Sequence, residues 1–252
     1  MENSKIIEVR NLTHIFKDGS VGIKNIDLNI YNGDFIVLTG ANGSGKTVLS
    51  RHLNGLIKPS TGSVLFRGGD VRKNPINARK NIGLIFQDSN SQFINLTVKE
   101  DIAFGPKNLG KNPDEIDVIV KNALKSVDLT SYANKNPYAL SGGQKRKLAV
   151  AGVLALGPQL IIFDEPFTGL DYSGVNQILE LLLKLKKEKF TVLVITHELE
   201  KVLAYASRLI VMHQGEVVKD CKPVGNLDFL EEYNVRNPLK NGTRLEDLTW
   251  LA

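Results

Sequence analysis

Apolar residues in the first ninety positions fall in short runs or alternate with polar ones. Ile6 to Val9, Ile23 to Ile30, Phe35 to Leu38, Ser63 to Phe66 and Ile82 to Phe86 each predict a β-strand. Helical spacing first appears after Lys46, through Val48, Leu49, Leu53 and Leu56. A second helix start stands at Asn112, Pro113, Asp114 and Glu115. Its first turn is acidic, and Ile116, Ile119, Val120, Ala123, Leu124 and Val127 follow at helical intervals. A third helix is expected near Ser141. Leu160 to Phe163 and Thr191 to Ile195 are unbroken apolar runs, with helices predicted from about Val175 to Lys187 and from Glu198. Leu209 to Met212 and Glu216 to Val218 read as a hairpin around Gly215. Apolar strands alternating with helices predict an α/β fold whose parallel sheet is covered on both faces. Residues 88–158 interrupt the alternation and read as an inserted helical subdomain, and the chain from about Lys222 is weakly patterned.

Composition narrows this little. A chain of 252 residues with 42% hydrophobic and 23% charged residues folds into an ordinary globular body, which sets aside wholesale disorder and collagen-like architectures. No apolar run approaches the roughly 20 residues that cross a bilayer. The amino-terminal MENSKIIEVR lacks the basic stretch, apolar core and cleavage site of a secretory signal, and the lone Cys221 builds no disulfide framework. A cytoplasmic location is therefore expected. The net charge of +5 favours an anionic partner, whether nucleotide, nucleic acid or membrane surface, but it equally fits a lysine-rich solvated surface.

Chemistry enters at Gly40, Ala41, Asn42, Gly43, Ser44, Gly45, Lys46 and Thr47, which fit G-x-x-x-x-G-K-[ST] between a predicted strand and a predicted helix. Glycines let the backbone turn its N–H groups around phosphates at a helix N-terminus, where the dipole already favours anions. Lys46 adds a mobile charge, and the Thr47 hydroxyl can ligate the magnesium carried by a nucleotide. The run Leu160 to Phe163 ends in Asp164 and Glu165, two carboxylates at the end of a buried strand, where open α/β sheets place ligands. Asp164 suits magnesium, and Glu165 suits the orientation or deprotonation of an attacking water.

Leu140 to Lys147 read LSGGQKRK. Ser141 is a good N-cap, and Gly142 and Gly143 permit close backbone approach ahead of a helix starting at Gln144. This is a second helix N-terminus suited to phosphate. Lys145, Arg146 and Lys147 oppose the helix dipole at a cost of about 0.3 to 1 kcal/mol each, which a nearby polyanion would offset. The bland reading is a solvated basic face.

Taken in order, the phosphate loop, Gln87, LSGGQ, the strand ending in Asp164 and Glu165, then Gly169, Leu170 and Asp171, and His197 after a strand resemble the ATPase subunits of ABC transporters. The resemblance covers about residues 6–220, leaving 221–252 as a short carboxy-terminal extension. It implies a P-loop NTPase of the ABC ATPase type: a mostly parallel core with an antiparallel β subdomain and an inserted helical subdomain at about 88–158. It further implies a head-to-tail pair with a second ABC ATPase subunit, identical or related. Carried over by position, Lys46, Thr47, Gln87, Asp164, Glu165 and His197 serve the ATP held by this chain, with Thr47, Gln87 and Asp164 around Mg2+. Ser141, Gly142, Gly143 and Gln144 reach the partner's ATP, Asp171 lies at the dimer seam, and Phe16 stacks on adenine.

The stretch QDSNSQFINLTVKEDIAFGP, residues 87–106, is similar to the corresponding segment of energy-coupling factor ATPases, the cobalt, nickel and vitamin importers. That resemblance implies an ATP-hydrolysing subunit at the cytoplasmic face of the membrane, joined through 87–106 to integral membrane transporter subunits. Within the stretch, Asp88 is expected to meet a basic group on the membrane subunit and Phe93 to serve as an apolar anchor. Ser89 stands where the family commonly has proline, the carboxy-terminal region is shorter than in many members, and Phe167 and Thr168 depart from the usual DEPTAGLD without a functional reading. The alternative is a soluble ABC ATPase of iron–sulfur assembly or nucleic-acid transactions. No long coiled-coil insertion and no second set of motifs is present, so no nucleic-acid partner is expected.

Overall fold

The computed structural model describes residues 4–225, 227–248 and 250–251; Met1–Asn3 of the amino-terminal stretch lie outside them. From the amino end come β1 (Lys5–Ile15), β2 (Val21–Tyr31), β3 (Phe35–Thr39), α1 (Lys46–Leu53), β4 (Thr61–Phe66), β5 (Gly69–Asp70), α2 (Pro75–Asn81) and β6 (Ile82–Ile85). Three helices follow, α3 (Val98–Asn108), α4 (Pro113–Ser126) and α5 (Gly142–Leu154). The remainder comprises β7 (Leu160–Asp164), α6 (Tyr172–Lys187), β8 (Thr191–Ile195), α7 (Leu199–Val202), β9 (Arg208–His213), β10 (Glu216–Cys221) and α8 (Phe229–Glu232).

Two sheets result. β2-β1-β4-β5 is antiparallel throughout. The larger sheet runs β10-β9-β3-β8-β7-β6, parallel except for the β9/β10 hairpin. Its central strands read as continuous apolar runs because both faces are buried. Phe35, Val37, Ile161 and Phe163 point into one core with α5 and α6, while Ile36, Leu38, Leu160 and Ile162 point into another beneath the antiparallel sheet. Two-residue alternation thus splits each strand between two cores.

Local chemistry explains the helix boundaries. α3, α4 and α5 each begin with a capping box, Thr97 with Glu100, Asn112 with Glu115 and Ser141 with Gln144. Val98, Ile102, Ile116, Val120, Leu124 and Leu148 join these three helices to the first core. α1 stops at Leu53 rather than continuing through Leu56, because Asn54 caps it and Gly55 turns away at φ +71°. α6 starts three residues earlier than its apolar spacing indicates, since the Asp171 carboxylate accepts the Gly174 N–H at 2.7 Å and sets the first turn. The helix expected from Glu198 is a single turn. α2, which periodicity does not reveal, is set by Asn74 as N-cap and Pro75.

Phe93 corrects an expectation. It is buried in the first core, edge-on to Tyr138 at a centroid distance of 6.2 Å, and so is no exposed anchor. Its neighbours Ile94 and Leu96 are exposed instead, at 67% and 79%. Leu227, Leu230, Val235 and Leu248, from the carboxy-terminal stretch, pack into the same first core.

Candidate nucleotide site

β3, β8, β7 and β6 lie side by side and parallel in one sheet, so their carboxyl ends open on one edge. The loop after β3 carries residues 40–47, and Gln87 follows β6. Asp164 and Glu165 end β7, and His197 follows β8. All four strand ends meet in a cleft of about 490 Å³ lined by Asn42 to Thr47, Gln87, Asp164, Glu165, Thr168 and His197, with Phe16 and Gly22 on its rim.

The phosphate loop has its shape because of two glycines. Gly40 sits at φ +148°, where a Cβ would lie 2.1 Å from the Met212 carbonyl oxygen. Gly45, the N-cap of α1, sits at φ +100°, and a Cβ there would meet the Gly22 oxygen at 2.6 Å. Neither position admits a side chain. Gly40 and Ala41 stay behind the cleft lining and act through their carbonyls, which accept Lys46 Nζ at 2.7 and 3.0 Å. Burial pushes the Lys46 ammonium below its ordinary pKa, against the pull of Glu165 and Asp164. A negative ligand beside Lys46 relieves that desolvation. Ser44 Oγ is buried without a hydrogen-bond partner, a further polar atom suited to a phosphate oxygen.

Asp164 is buried, and burial raises its carboxyl pKa; a hydrogen bond from Thr47 lowers it, and the neighbouring Glu165 raises it again. A nearby cation would restore the carboxylate. Glu165 holds a left-handed backbone, φ +49°, a conformation costing about 1 kcal/mol or more outside glycine. Its N–H donates to the Ile195 carbonyl at 2.9 Å, which fastens β7's end to β8. The side chain is thereby turned to His197, whose Nδ1 lies 3.1 Å from both carboxylate oxygens.

Phe16 is 43% exposed at the rim, leaving its ring open to the cleft. His14 packs edge-on against it at 4.8 Å, and Gly22 leaves it room, since a Cβ there would lie 2.8 Å from the ring. A flat face beside the phosphate loop is a platform for a base.

A second cleft of about 420 Å³ shares no lining residue with the first; Ser141, Gly142, Gly143, Gly169 and Asp171 line it. Gly143 lets α5 approach α6 closely, since a Cβ there would lie 3.3 Å from Gly174 Cα. Gln144 is absent from the lining, because its amide oxygen accepts the Ser141 N–H at 3.0 Å. The three basic residues that follow also turn elsewhere. Lys145 lies 6.0 Å from the Tyr138 ring, Lys147 is 3.9 Å from Asp128, and Arg146 is buried against backbone carbonyls. None of the three lines the second cleft. Thr168, given no role from sequence, lines the nucleotide cleft, whereas Phe167 is core. Arg146 likewise escaped sequence reasoning, which saw only a basic face.

A glycine-rich phosphate loop on a parallel sheet, opposed by carboxylates from neighbouring strands, defines a P-loop nucleoside triphosphatase. Comparison with known proteins specifies it. The family profile described as ABC transporter matches residues 23–168. The energy-coupling factor transporter ATP-binding protein EcfA of Methanococcus maripaludis is 39% identical over 221 residues, covering 86% of this chain and 80% of its own length. EcfA2 of Clostridium tetani is 39% identical over 245 residues, covering 92% and 85%. Among solved structures, cbiO1 of Clostridium perfringens, part of the ABC transporter complex cbiONQ, superposes with a TM-score of 0.81 at 35% identity, covering 94% of this chain and 97% of its own. A dimeric ATP-binding cassette in a post-hydrolysis state with ADP and phosphate gives 0.76 at 30% identity, covering 88% and 100%. The chain belongs to the ABC transporter family, as an ATP-binding subunit of the energy-coupling factor type. It binds ATP and couples ATP hydrolysis to transport.

Proposed function

We propose that this subunit powers uptake of a metal ion or vitamin, working head to tail with a second ATPase chain and seated on the cytoplasmic face of separate membrane subunits. The observation that carries the pairing is the presence of two unconnected clefts, one with lysine and carboxylates and one without a lysine. A phosphate held by the first cleft of one chain and capped by Ser141, Gly142 and Gly143 of another makes use of both. The dimeric cassette with ADP and phosphate to which this chain is similar supports the same arrangement. Asp171, on the second cleft, then lies at the seam.

Within its own cleft the chain supplies most of what hydrolysis requires. Phe16 stacks on the base, and the N–H groups of residues 42–47 with Lys46 hold the phosphates. The hydroxyl of Thr47, the carboxylate of Asp164 and the amide oxygen of Gln87 share one cleft and form a hard oxygen donor set that fits Mg2+. Mg2+ bound there supplies charge neutralisation on the phosphates. Glu165 orients the attacking water and accepts its proton. With Nδ1–H of His197 donating to Glu165, its Nε2 donates to the terminal phosphate when both ring nitrogens carry protons.

Among the described residues no helix is long and apolar enough to cross a membrane, so transport requires partners. Residues 87–106 supply the contact, and the exposed pair Ile94 and Leu96 takes the part expected of Phe93. The unit that does this work spans about 1–220, with its helical subdomain at about 88–158 and an extension at 221–252. In proteoliposomes carrying the membrane subunits, this chain should give ATP-dependent solute uptake and a hydrolysis rate well above that of the chain alone. Lys46→Ala should abolish both. A hydrolysis rate indifferent to the membrane subunits, or uptake that survives Lys46→Ala, would overturn the proposal.

A further inference from the structure

Arg146 is the enclosed member of the basic triplet, 4% exposed, and its guanidinium is turned onto backbone carbonyls. Nη1 donates to the Phe86 carbonyl at 2.8 Å and to the Gln87 carbonyl at 2.6 Å; Nη2 reaches the Thr168 carbonyl at 3.4 Å. Nε is buried without a partner. Burial lowers the guanidinium pKa, and the field of nearby Asp88 pulls it back. Burying a cation on backbone carbonyls is costly, and a solvated basic face would avoid the cost. The planar guanidinium does, however, hold two carbonyls adjacent in sequence through Nη1 and a third, from a separate segment, through Nη2, a spread that the single nitrogen of a lysine does not reproduce.

What it holds is informative. Gln87 and Thr168 both line the nucleotide cleft, while Arg146 stands on α5, whose first residues line the second cleft. One side chain therefore fastens two segments of the first half-site to the helix that bears the second. We infer that Arg146 is a positioning residue that sets the backbone of Gln87 from α5, so that the chain's two half-sites shift together rather than independently. The inference rests on the proposed role of Gln87 at the terminal phosphate and Mg2+, and goes beyond it by naming what places Gln87. Any rotation of α5 toward a second chain's nucleotide draws the Gln87 and Thr168 carbonyls with it. The same link runs in reverse from Gln87 to α5.

A double-mutant cycle on the full chain in its membrane complex tests this, with Mg-ATP turnover and thermal unfolding as readouts. Arg146→Lys should lower kcat about tenfold with KM moved less than about twofold and a cooperative unfolding transition retained. In a Gln87→Ala background the same substitution should cost less than about twofold, because the residue it positions is gone. An equal loss in both backgrounds, a wild-type kcat for Arg146→Lys, or loss of the cooperative transition would overturn the inference. If Gln87→Ala itself turned over at the wild-type rate, the role assigned to Gln87 would fall, and the inference with it.

Discussion

His197 Nδ1 lies 3.1 Å from both carboxylate oxygens of Glu165, two residues brought together from the ends of neighbouring parallel strands. The left-handed backbone of Glu165 and its N–H bond to Ile195 turn the carboxylate toward the histidine and the cleft. Glu165→Gln keeps the shape and removes the base. It should bind ATP with near wild-type affinity while single-turnover hydrolysis falls about 100-fold or more. Turnover within a few-fold of wild type would remove Glu165 from the water.

Phe93 and Leu96 stand three residues apart and face opposite environments, one 7% and the other 79% exposed. Phe93→Ser should destabilise the fold by about 3 kcal/mol, visible as a lowered unfolding temperature. Leu96→Asp should leave unfolding and the basal ATPase of the isolated chain unchanged, yet reduce solute uptake by the complex. Uptake unaffected by Leu96→Asp would place the membrane contact elsewhere.

Acid should weaken the fold through His52. The side chain is 1% exposed, and burial, reinforced by the charge of nearby His14, lowers its pKa from 6.5 to about 4. Between those values the unfolded chain binds a proton that the folded chain does not, so stability rises with pH across the window. It is fully present above about pH 6.5 and is lost as pH falls toward 4, by about 3 kcal/mol from this group. Carboxylates titrate in the same range, so the check is a difference: the unfolding free energy of wild type minus that of His52→Gln, followed from pH 7 to 4. The difference should shrink or change sign in acid; a constant difference would exclude His52 as the source.

The phosphate loop was legible in the sequence because its demands are local: glycines where backbone turns and N–H groups converge, then a lysine and a hydroxyl at fixed offsets. Continuous apolar runs revealed β7 and β8 for an equally simple reason, since both their faces are buried. Boundaries set by side-chain caps, such as Asp171 for α6 and Asn74 for α2, carry no periodic signal and were displaced or missed. Phe93 and Ile94 are indistinguishable by hydropathy, and only the turn of the chain decides which one is buried. Arg146 was hidden for another reason: its partners are backbone carbonyls about 60 residues away, and backbone leaves no side-chain motif to read.

The most direct test of the account is native mass spectrometry of a gently detergent-extracted complex purified through this chain. The predicted result is two ATP-binding chains, this one twice or this one with a related subunit, together with integral membrane proteins. Recovery of this chain alone, or with ribosomes or nucleic acid and no membrane protein, would contradict it.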